Sequence, residues 1–171
     1  FQALNFLNGL VAPSFLFVSG FVFLVSGHRR LEELRRLGPS FRRQVKRVGT
    51  VWLIAYALHL PPAPLSRYFS DPRALDWRAM YKVDVLHCIS LTWLLLLASL
   101  ILIRPEKLLR WWLLGSALAA TALAPWMWSL DLSPPWPAPV AAYLNDRFQS
   151  LFPLFPWSGF MLAGAFCASL Y

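Results

Sequence analysis

The sequence predicts an all-α protein, a polytopic transmembrane helix bundle with about five spans and a short amphipathic surface helix. Five stretches of at least 19 residues contain no Asp, Glu, Lys or Arg: 1–27, 48–66, 85–103, 111–130 and 148–171. A helix needs about 20 mostly apolar residues to cross a bilayer. The chain is 58% hydrophobic and 14% charged, with a mean hydropathy of +0.52. This composition leaves too little polar surface for a water-soluble globule.

The predicted spans form one domain over residues 1–171, and they cover residues 10–26, 45–60, 85–103, 108–128 and 151–171. The first contains Pro13 in its opening turns. The second must end at Leu60, because Pro61 cannot continue a helix. Asp84 precedes the third, where a carboxylate is favoured by the helix dipole.

A short helix is predicted between the first two spans. Leu31, Leu34 and Leu37 share one stripe, which is typical of a helix that lies in the lipid headgroups, and Gly38 ends the pattern. Ser40 is then expected to cap the second long helix.

The last two spans carry membrane-interface and packing signals. Tryptophan pairs flank the fourth span, at 111–112 and at 126 and 128, as in an aromatic belt. In the fifth, Gly159 with Ala163 and Gly164 with Ala168 form small-xxx-small pairs, which predict close packing against a neighbouring helix.

The distribution of charge predicts the orientation. The loop at 28–47 holds eight Lys or Arg against two Glu, and the connector at 104–110 adds three more basic residues. The positive-inside rule places both in the cytoplasm. The net charge of +8 is therefore read as a topology signal and a contact with anionic membrane lipid. Nucleic acid is not an expected partner, because the basic residues lack interleaved aromatics.

This orientation places Phe1 outside the cytoplasm. Because the sequence opens with Phe and ends within an apolar run, we interpret it as a fragment with at least one preceding helix. The two cysteines, Cys88 and Cys167, lie at different predicted depths, so no disulfide is expected. No CxxC, HExxH or other paired ligand spacing is present, so no metal is predicted.

The candidate catalytic residues are Asp84 and His87. At a spacing of three they share one face of a helix. A carboxylate that orients an imidazole is a recurrent acid–base arrangement, and ionisable groups are costly inside a membrane. The alternative is structural: Asp84 caps its helix and His87 bonds a neighbouring carbonyl.

Further candidates lie at the two predicted membrane faces. His59, Asn5 and Asn8 lie at the outer face and are candidates for substrate binding, with interfacial capping as the alternative. On the cytoplasmic side, His28, Arg29 and Arg30 can bind an anionic ligand such as a nucleotide phosphate, with lipid headgroups as the alternative ligand.

Three strings carry a family resemblance in addition to these patterns. They are NGLVAPSFLFVSGFVF at 8–23, VDVLHCISL at 83–91 and FPLFPWSGFMLAGA at 152–165, with a basic loop after the first. In this order they resemble the bacterial relatives of heparan-alpha-glucosaminide N-acetyltransferase, which are transmembrane acyltransferases. The resemblance covers nearly the whole chain from about Asn5 onward.

The resemblance implies an enzyme that takes an acetyl or other acyl group from cytoplasmic acyl-CoA and delivers it to a sugar or glycan acceptor outside. Acetyl-CoA would be the donor, and the protein would be located in the bacterial inner membrane. A homo-oligomer is compatible with this interpretation. In the lysosomal member, a histidine in the outer loop before the APSFLF-like helix is held to be catalytic. That position falls just before Phe1, so the histidine lies outside this sequence or His87 replaces it.

Two other functions remain open on the sequence alone. A transporter or flippase for a sugar-lipid or an anionic solute would use the same polar cluster for binding, with Pro13 and Pro156 as discontinuities in its spans. A helix-bundle subunit without activity of its own is the third hypothesis. Consumption of the acyl-CoA thioester distinguishes the enzyme from both.

Overall fold

The computed structural model describes residues 2–61, 63–71, 75, 77–132, 137–146 and 150–171. These residues form helices joined by short connections, with no strand among them, as predicted. The α-helices are α1 (Gln2–His28), α2 (Leu31–Arg35), α3 (Pro39–Leu58), α4 (Leu65–Ser70), α5 (Val85–Leu102), α6 (Glu106–Ala122), α7 (Ala124–Ser129), α8 (Ala138–Leu144) and α9 (Leu154–Ala168), and Trp77–Tyr81 forms a 3-10 helix.

Three helical stretches within the described residues are long and apolar enough to cross a membrane. They are Leu10–His28, Val85–Leu102 and Glu106–Ser129, and the apolar α9 is shorter. The third predicted span, 85–103, corresponds to a helix at Val85–Leu102. The fourth is interrupted at Leu123, because Pro125 begins a new helical segment in α7. The molecule is a helical membrane bundle, as the sequence predicts.

The second and fifth predicted spans differ from the structure in extent. Helix α3 begins at Pro39, and its uncharged part from Val48 to Leu58 is about 16 Å long, against a hydrocarbon core of roughly 30 Å. Helix α9 covers 15 residues rather than the predicted 21, since it begins at Leu154, directly after Pro153, and ends at Ala168. Within it, Phe155 has non-helical angles (φ −100, ψ 119). A residue that precedes a proline is disfavoured in the α region, and Pro156 follows Phe155.

Helix α9 lies at the centre of the bundle, between α1 and α6, and it also contacts α5. Glycines allow these close approaches. A Cβ atom on Gly164 would overlap the carbonyl of Phe17, and one on Gly20 would overlap the carbonyl of Met161. Gly159 faces the Thr121 side chain of α6 instead. The predicted close packing is confirmed, although the two glycines of α9 contact different helices.

The buried core is formed by apolar residues of α1, α2, α5, α6 and α9. Cys88 and Cys167 are both free.

Helix α2 is present, as predicted, and its apolar side packs against the bundle. Leu34 is 1% exposed and belongs to the core. Glu33 of α2 accepts hydrogen bonds at the start of α3, from the Ser40 amide at 3.0 Å and the Ser40 hydroxyl at 2.5 Å. The N-cap of α3 is Gly38, so the prediction that the Ser40 side chain caps this helix is wrong. Instead, the Glu33 side chain accepts the free amide of Ser40 in the first turn of α3.

Arg35 of α2 binds a different long helix, at the C-terminal end of α5. Its guanidinium donates to the carbonyls of Leu100, Ile103 and Arg104, each at 3.3 Å. A cation near these unpaired carbonyls also complements the helix dipole.

The bundle therefore has two distinct ends. We call the end that contains α2 and the C-terminus of α5 the basic end. We call the end that contains Leu58 and Val85 the site end. The segment before α9 lies at the site end too, because Leu151 and Phe152 donate their amides to the Val83 carbonyl at 3.0 and 3.2 Å.

Candidate active site

Asp84 begins α5 and accepts hydrogen bonds from its first turn. Its Oδ1 atom accepts from the Leu86 amide at 3.0 Å and from the His87 amide at 3.1 Å. These amides have no partner inside the helix, and an Asp at the N-cap satisfies them. The extended conformation of Asp84 (φ −104, ψ −175) is the one an N-cap requires. The sequence therefore fixes both the position and the direction of this carboxylate.

The Asp84 carboxylate also binds the imidazole of His87, as the spacing of three predicts. Oδ1 lies 2.8 Å from Nδ1 of His87, and the His87 side chain is fully buried. The Asp84 amide lies 3.4 Å from the same nitrogen. Since the carboxylate is closer and charged, we assign the proton to Nδ1, donating to Asp84. The buried Nε2 atom has no hydrogen-bond partner among the described residues. This tautomer leaves Nε2 with a free lone pair.

His59 joins the same cluster from the end of α3. Its Nδ1 atom lies 3.9 Å from Oδ2 of Asp84 and 2.9 Å from the Ala55 carbonyl. Its ring centroid lies 5.6 Å from that of His87. The sequence predicts His59 as a residue of the outer face without a carboxylate at helical spacing. The packing of α3 on α5 supplies that carboxylate, which no local pattern shows.

Aromatic side chains surround the imidazole of His87, and the sequence reasoning missed them. The ring of Tyr56 lies edge-on at 4.5 Å between centroids, and the ring of Tyr143 lies at 6.0 Å. Trp52 donates its indole N–H to the Tyr143 hydroxyl at 3.0 Å. Tyr56 and Trp52 share the α3 face with His59, at spacings of three and seven, and that helical spacing is the signal that could have found them. Tyr143 comes from α8, and no local pattern indicates it.

The side chains of His59, Asp84 and His87 are of types that can coordinate a metal ion. One possible ligand atom from each residue lies within 4.8 Å of the other two. Two imidazoles and a carboxylate are a known zinc ligand set. In this structure, however, both Nδ1 atoms are engaged with oxygen acceptors, and Oδ1 of Asp84 accepts three N–H groups. These hydrogen bonds favour an acid–base centre.

A separate cavity of about 520 Å³ lies between α1 and α3, towards the basic end. The polar side chains that line it include Arg29, Arg30, Arg43 and Arg47, and no acidic residue is among its lining residues. Such a cavity is suited to an anion, since guanidinium groups bind phosphate in a bidentate manner. We call it the arginine cavity.

The predicted cytoplasmic trio of His28, Arg29 and Arg30 is divided between two cavities. Arg29 and Arg30 line the arginine cavity. His28 lines a second cavity of about 390 Å³ together with Arg29 and Glu106. Its Nε2 lies 4.0 Å from Oε1 of Glu106, and both side chains are more than half exposed. Asn5 and Asn8 belong to α1, but the structure does not describe their side chains.

The fold and the site define a helical membrane protein with a buried Asp–His pair at one end and an arginine-lined cavity towards the other. The whole chain, residues 1–171, matches the model of the heparan-alpha-glucosaminide N-acetyltransferase catalytic family. The chain therefore belongs to this family of membrane N-acetyltransferases, and the resemblance noted in its sequence is confirmed. Comparisons with curated proteins and with solved structures gave no match.

Proposed function

We propose that this protein transfers an acetyl group, or another acyl group, from acyl-CoA to an amino or hydroxyl group of a sugar or glycan. The donor is bound at the basic end, and the acceptor is bound at the site end. Membership in the family supports acetyl transfer. The observation that carries the proposal is the pair of Asp84 and His87, joined at 2.8 Å with a free Nε2 atom in a buried position.

The chemistry follows from that pair. Nε2 of His87 accepts the proton of the attacking amine or hydroxyl while the new bond to the thioester carbonyl carbon forms. The carbon–sulfur bond then breaks, and the CoA thiolate leaves with the proton that His87 holds. Asp84 keeps the imidazole oriented and stabilises its charged form. His59, about one-fifth exposed and 3.9 Å from Asp84, is the proposed acceptor-binding residue.

Burial of His87 has a consequence for access. The rings of Tyr56 and Tyr143 pack edge-on against the imidazole, so an acceptor must reach Nε2 past these rings. A covered site also keeps out water, which would otherwise hydrolyse the thioester.

The arginine cavity is the proposed site for the donor phosphates. Arg47, one of its lining residues, lies with its guanidinium carbon 5.2 Å from the Trp93 ring centroid. Trp93 follows His87 by six positions, which is about 9 Å along the α5 axis. The pantetheine arm of acyl-CoA is long enough to cover this separation. The thioester can therefore reach the site end while the phosphates remain near the basic end.

The orientation in the membrane completes the proposal. The basic loops at 28–47 and 104–110 lie in the cytoplasm, where acyl-CoA is available and where anionic lipid headgroups bind the remaining arginines. The site end then faces the extracytoplasmic side, and the inner membrane of a bacterium is the proposed location.

Substitution of His87 by Ala tests the proposal. The full-length protein, in detergent, is incubated with labelled acetyl-CoA and glucosamine, and label on the sugar is measured. We expect kcat to fall by about 10² or more. Ser116→Ala is the control, because the Ser116 hydroxyl donates to carbonyls of its own helix α6 and Ser116 is not among the residues that line the arginine cavity. Unchanged kcat in His87→Ala would remove His87 from the mechanism, and a wild-type protein that never consumes the thioester would favour a transporter.

A further inference from the structure

A short chain of hydrogen-bonding groups lies against the imidazole of His87. The indole N–H of Trp52 donates to the Tyr143 hydroxyl at 3.0 Å. The hydroxyl oxygens of Tyr143 and Tyr56 are 3.2 Å apart, and either can donate to the other. The chain brings α8 onto α3 and positions both phenol rings edge-on to His87.

The two tyrosine hydroxyls together carry one hydrogen atom more than their mutual hydrogen bond uses. Each tyrosine carries one hydroxyl hydrogen, and one of the two bridges the pair. If Tyr143 donates, the hydrogen of Tyr56 is left over; if Tyr56 donates, the hydrogen of Tyr143 is left over. No acceptor among the described residues takes it. One hydroxyl donor on the two rings that pack against His87 is therefore available to a ligand.

The surroundings keep the Tyr143 hydroxyl protonated. Burial raises the pKa of the Tyr143 hydroxyl above its ordinary value, and the nearby Asp84 charge acts in the same direction. A phenol that does not ionise remains a hydrogen-bond donor over the whole working pH range. Because the N–H of Trp52 fixes one side of the Tyr143 oxygen, the direction of the remaining donor is also restricted.

We infer that the tyrosine pair of Tyr56 and Tyr143 stabilises the oxyanion of the acyl transfer reaction. This inference rests on the proposed function. As the acceptor attacks, the carbonyl electron pair moves to the oxygen, and the free hydroxyl donates a hydrogen bond to that oxygen. When the carbon–sulfur bond breaks, the pair returns to the carbonyl, and the thiolate takes its proton from His87. Neither tyrosine gives up its proton.

The pair is internally redundant, which gives the inference a distinctive signature. In Tyr56→Phe, Tyr143 retains the bond from Trp52 and has a free hydroxyl hydrogen. In Tyr143→Phe, the hydrogen of Tyr56 becomes free instead. Only the double variant lacks a hydroxyl donor. If the network were purely structural, each single variant would already lower kcat, because each removes one or more of its hydrogen bonds.

The test compares kcat and KM of the single and double variants in the full-length protein. We expect each single variant to lose at most a few-fold in kcat, and the double variant to lose about 10² to 10³ with little change in either KM. Tyr68→Phe is the matched control, because the Tyr68 hydroxyl donates to the Pro61 carbonyl at the same end of the bundle. This control should retain the wild-type kcat.

Three results would overturn the inference. An unchanged kcat in the double variant shows that no hydroxyl acts on the oxyanion. A loss confined to the acceptor KM shows that the tyrosines bind the sugar instead. If one single variant loses as much kcat as the double variant, the two hydroxyls cannot substitute for each other, and the inference is wrong.

His87→Ala, measured in parallel, separates this inference from the proposed function. If His87→Ala is inactive while the double variant retains its kcat, only the present inference fails. If His87→Ala is fully active, the proposed site fails and this inference with it. Where the double variant does not fold, 3-fluorotyrosine at position 56 in the Tyr143→Phe protein replaces it as the test. This more acidic phenol is a stronger donor, so kcat should rise, and an unchanged kcat overturns the inference.

Discussion

Oδ2 of Asp84 lies 3.9 Å from Nδ1 of His59, although the two residues belong to different helices. The other carboxylate oxygen accepts the first amides of α5 and the proton of His87. One side chain thus begins a helix, orients an imidazole and contacts a second imidazole. These roles depend on different properties of the carboxylate, so substitution can separate them.

Asp84→Asn and Asp84→Ala distinguish capping from acid–base chemistry. Asn caps a helix about as well as Asp does, whereas Ala costs about 0.5–2 kcal/mol of stability. Only the carboxylate can stabilise a charged imidazole. We expect both variants to lose about 10² or more in kcat, and only Asp84→Ala to lower the thermal midpoint. Wild-type turnover in Asp84→Asn would reduce Asp84 to a helix cap.

Arg30→Ala should weaken donor binding without affecting the chemical step. A hydrogen bond to a charged group contributes about 1.5–3 kcal/mol, so KM for acetyl-CoA should rise about tenfold or more while kcat is retained. Arg42→Ala is the control, because Arg42 is exposed on α3 and lines neither the arginine cavity nor the cavity that contains His28. An equal rise in both variants would indicate a general effect of charge instead of a defined cavity.

Gly20→Ala and Gly164→Ala should each disrupt the packing of α1 on α9. A Cβ atom at either position would overlap a backbone carbonyl of the other helix, which cannot move independently of that helix. Gly115→Ala is the matched control, since nothing lies within 4 Å of its added Cβ. There the higher helix propensity of Ala should leave stability equal or raise it by about 0.5–1 kcal/mol. Thermal unfolding in detergent measures all three, and a Gly164→Ala protein as stable as Gly115→Ala would contradict the observed crossing.

Glu33 makes stability dependent on pH on the acid side. Hydrogen bonds from Ser40 lower the pKa of Glu33 below 4.5, its ordinary value. The carboxylate therefore contributes stability that is complete above the ordinary pKa and is lost as the pH falls through the lower, folded-state value. Glu33→Gln should be less stable than the wild type at neutral pH, and the difference should narrow below pH 4.5. A difference that stays constant through this range would exclude ionised Glu33 as the cause.

The parts of the fold that the sequence predicts best are governed by local rules. Helix α5 was predicted at 85–103, because an uninterrupted apolar run follows an Asp that can cap it, and it spans Val85–Leu102. The start of α9 was misplaced, although Pro153 and Pro156 carried the signal. Apolar composition suggested a longer helix, and the backbone restriction before Pro156 opposed it.

The site divides in the same way. The pair of Asp84 and His87 follows from helical spacing alone, whereas His59 and Tyr143 reach it only through packing between helices. Their contacts join segments far apart in the chain, and a single sequence carries no record of which helix faces meet. The residues that complete the site are therefore visible only in the folded bundle.

Helix α2 has an effect that extends beyond its five residues. Glu33 holds the first turn of α3, and Arg35 holds the last turn of α5, so both long helices are anchored at one end to the same short element. Their other ends carry His59 and Asp84, and α3 with 20 residues is about 30 Å long. A slight tilt at the anchor is magnified over that length. A change in the position of α2 would therefore alter the distance between His59 and Asp84 at the opposite end of the bundle.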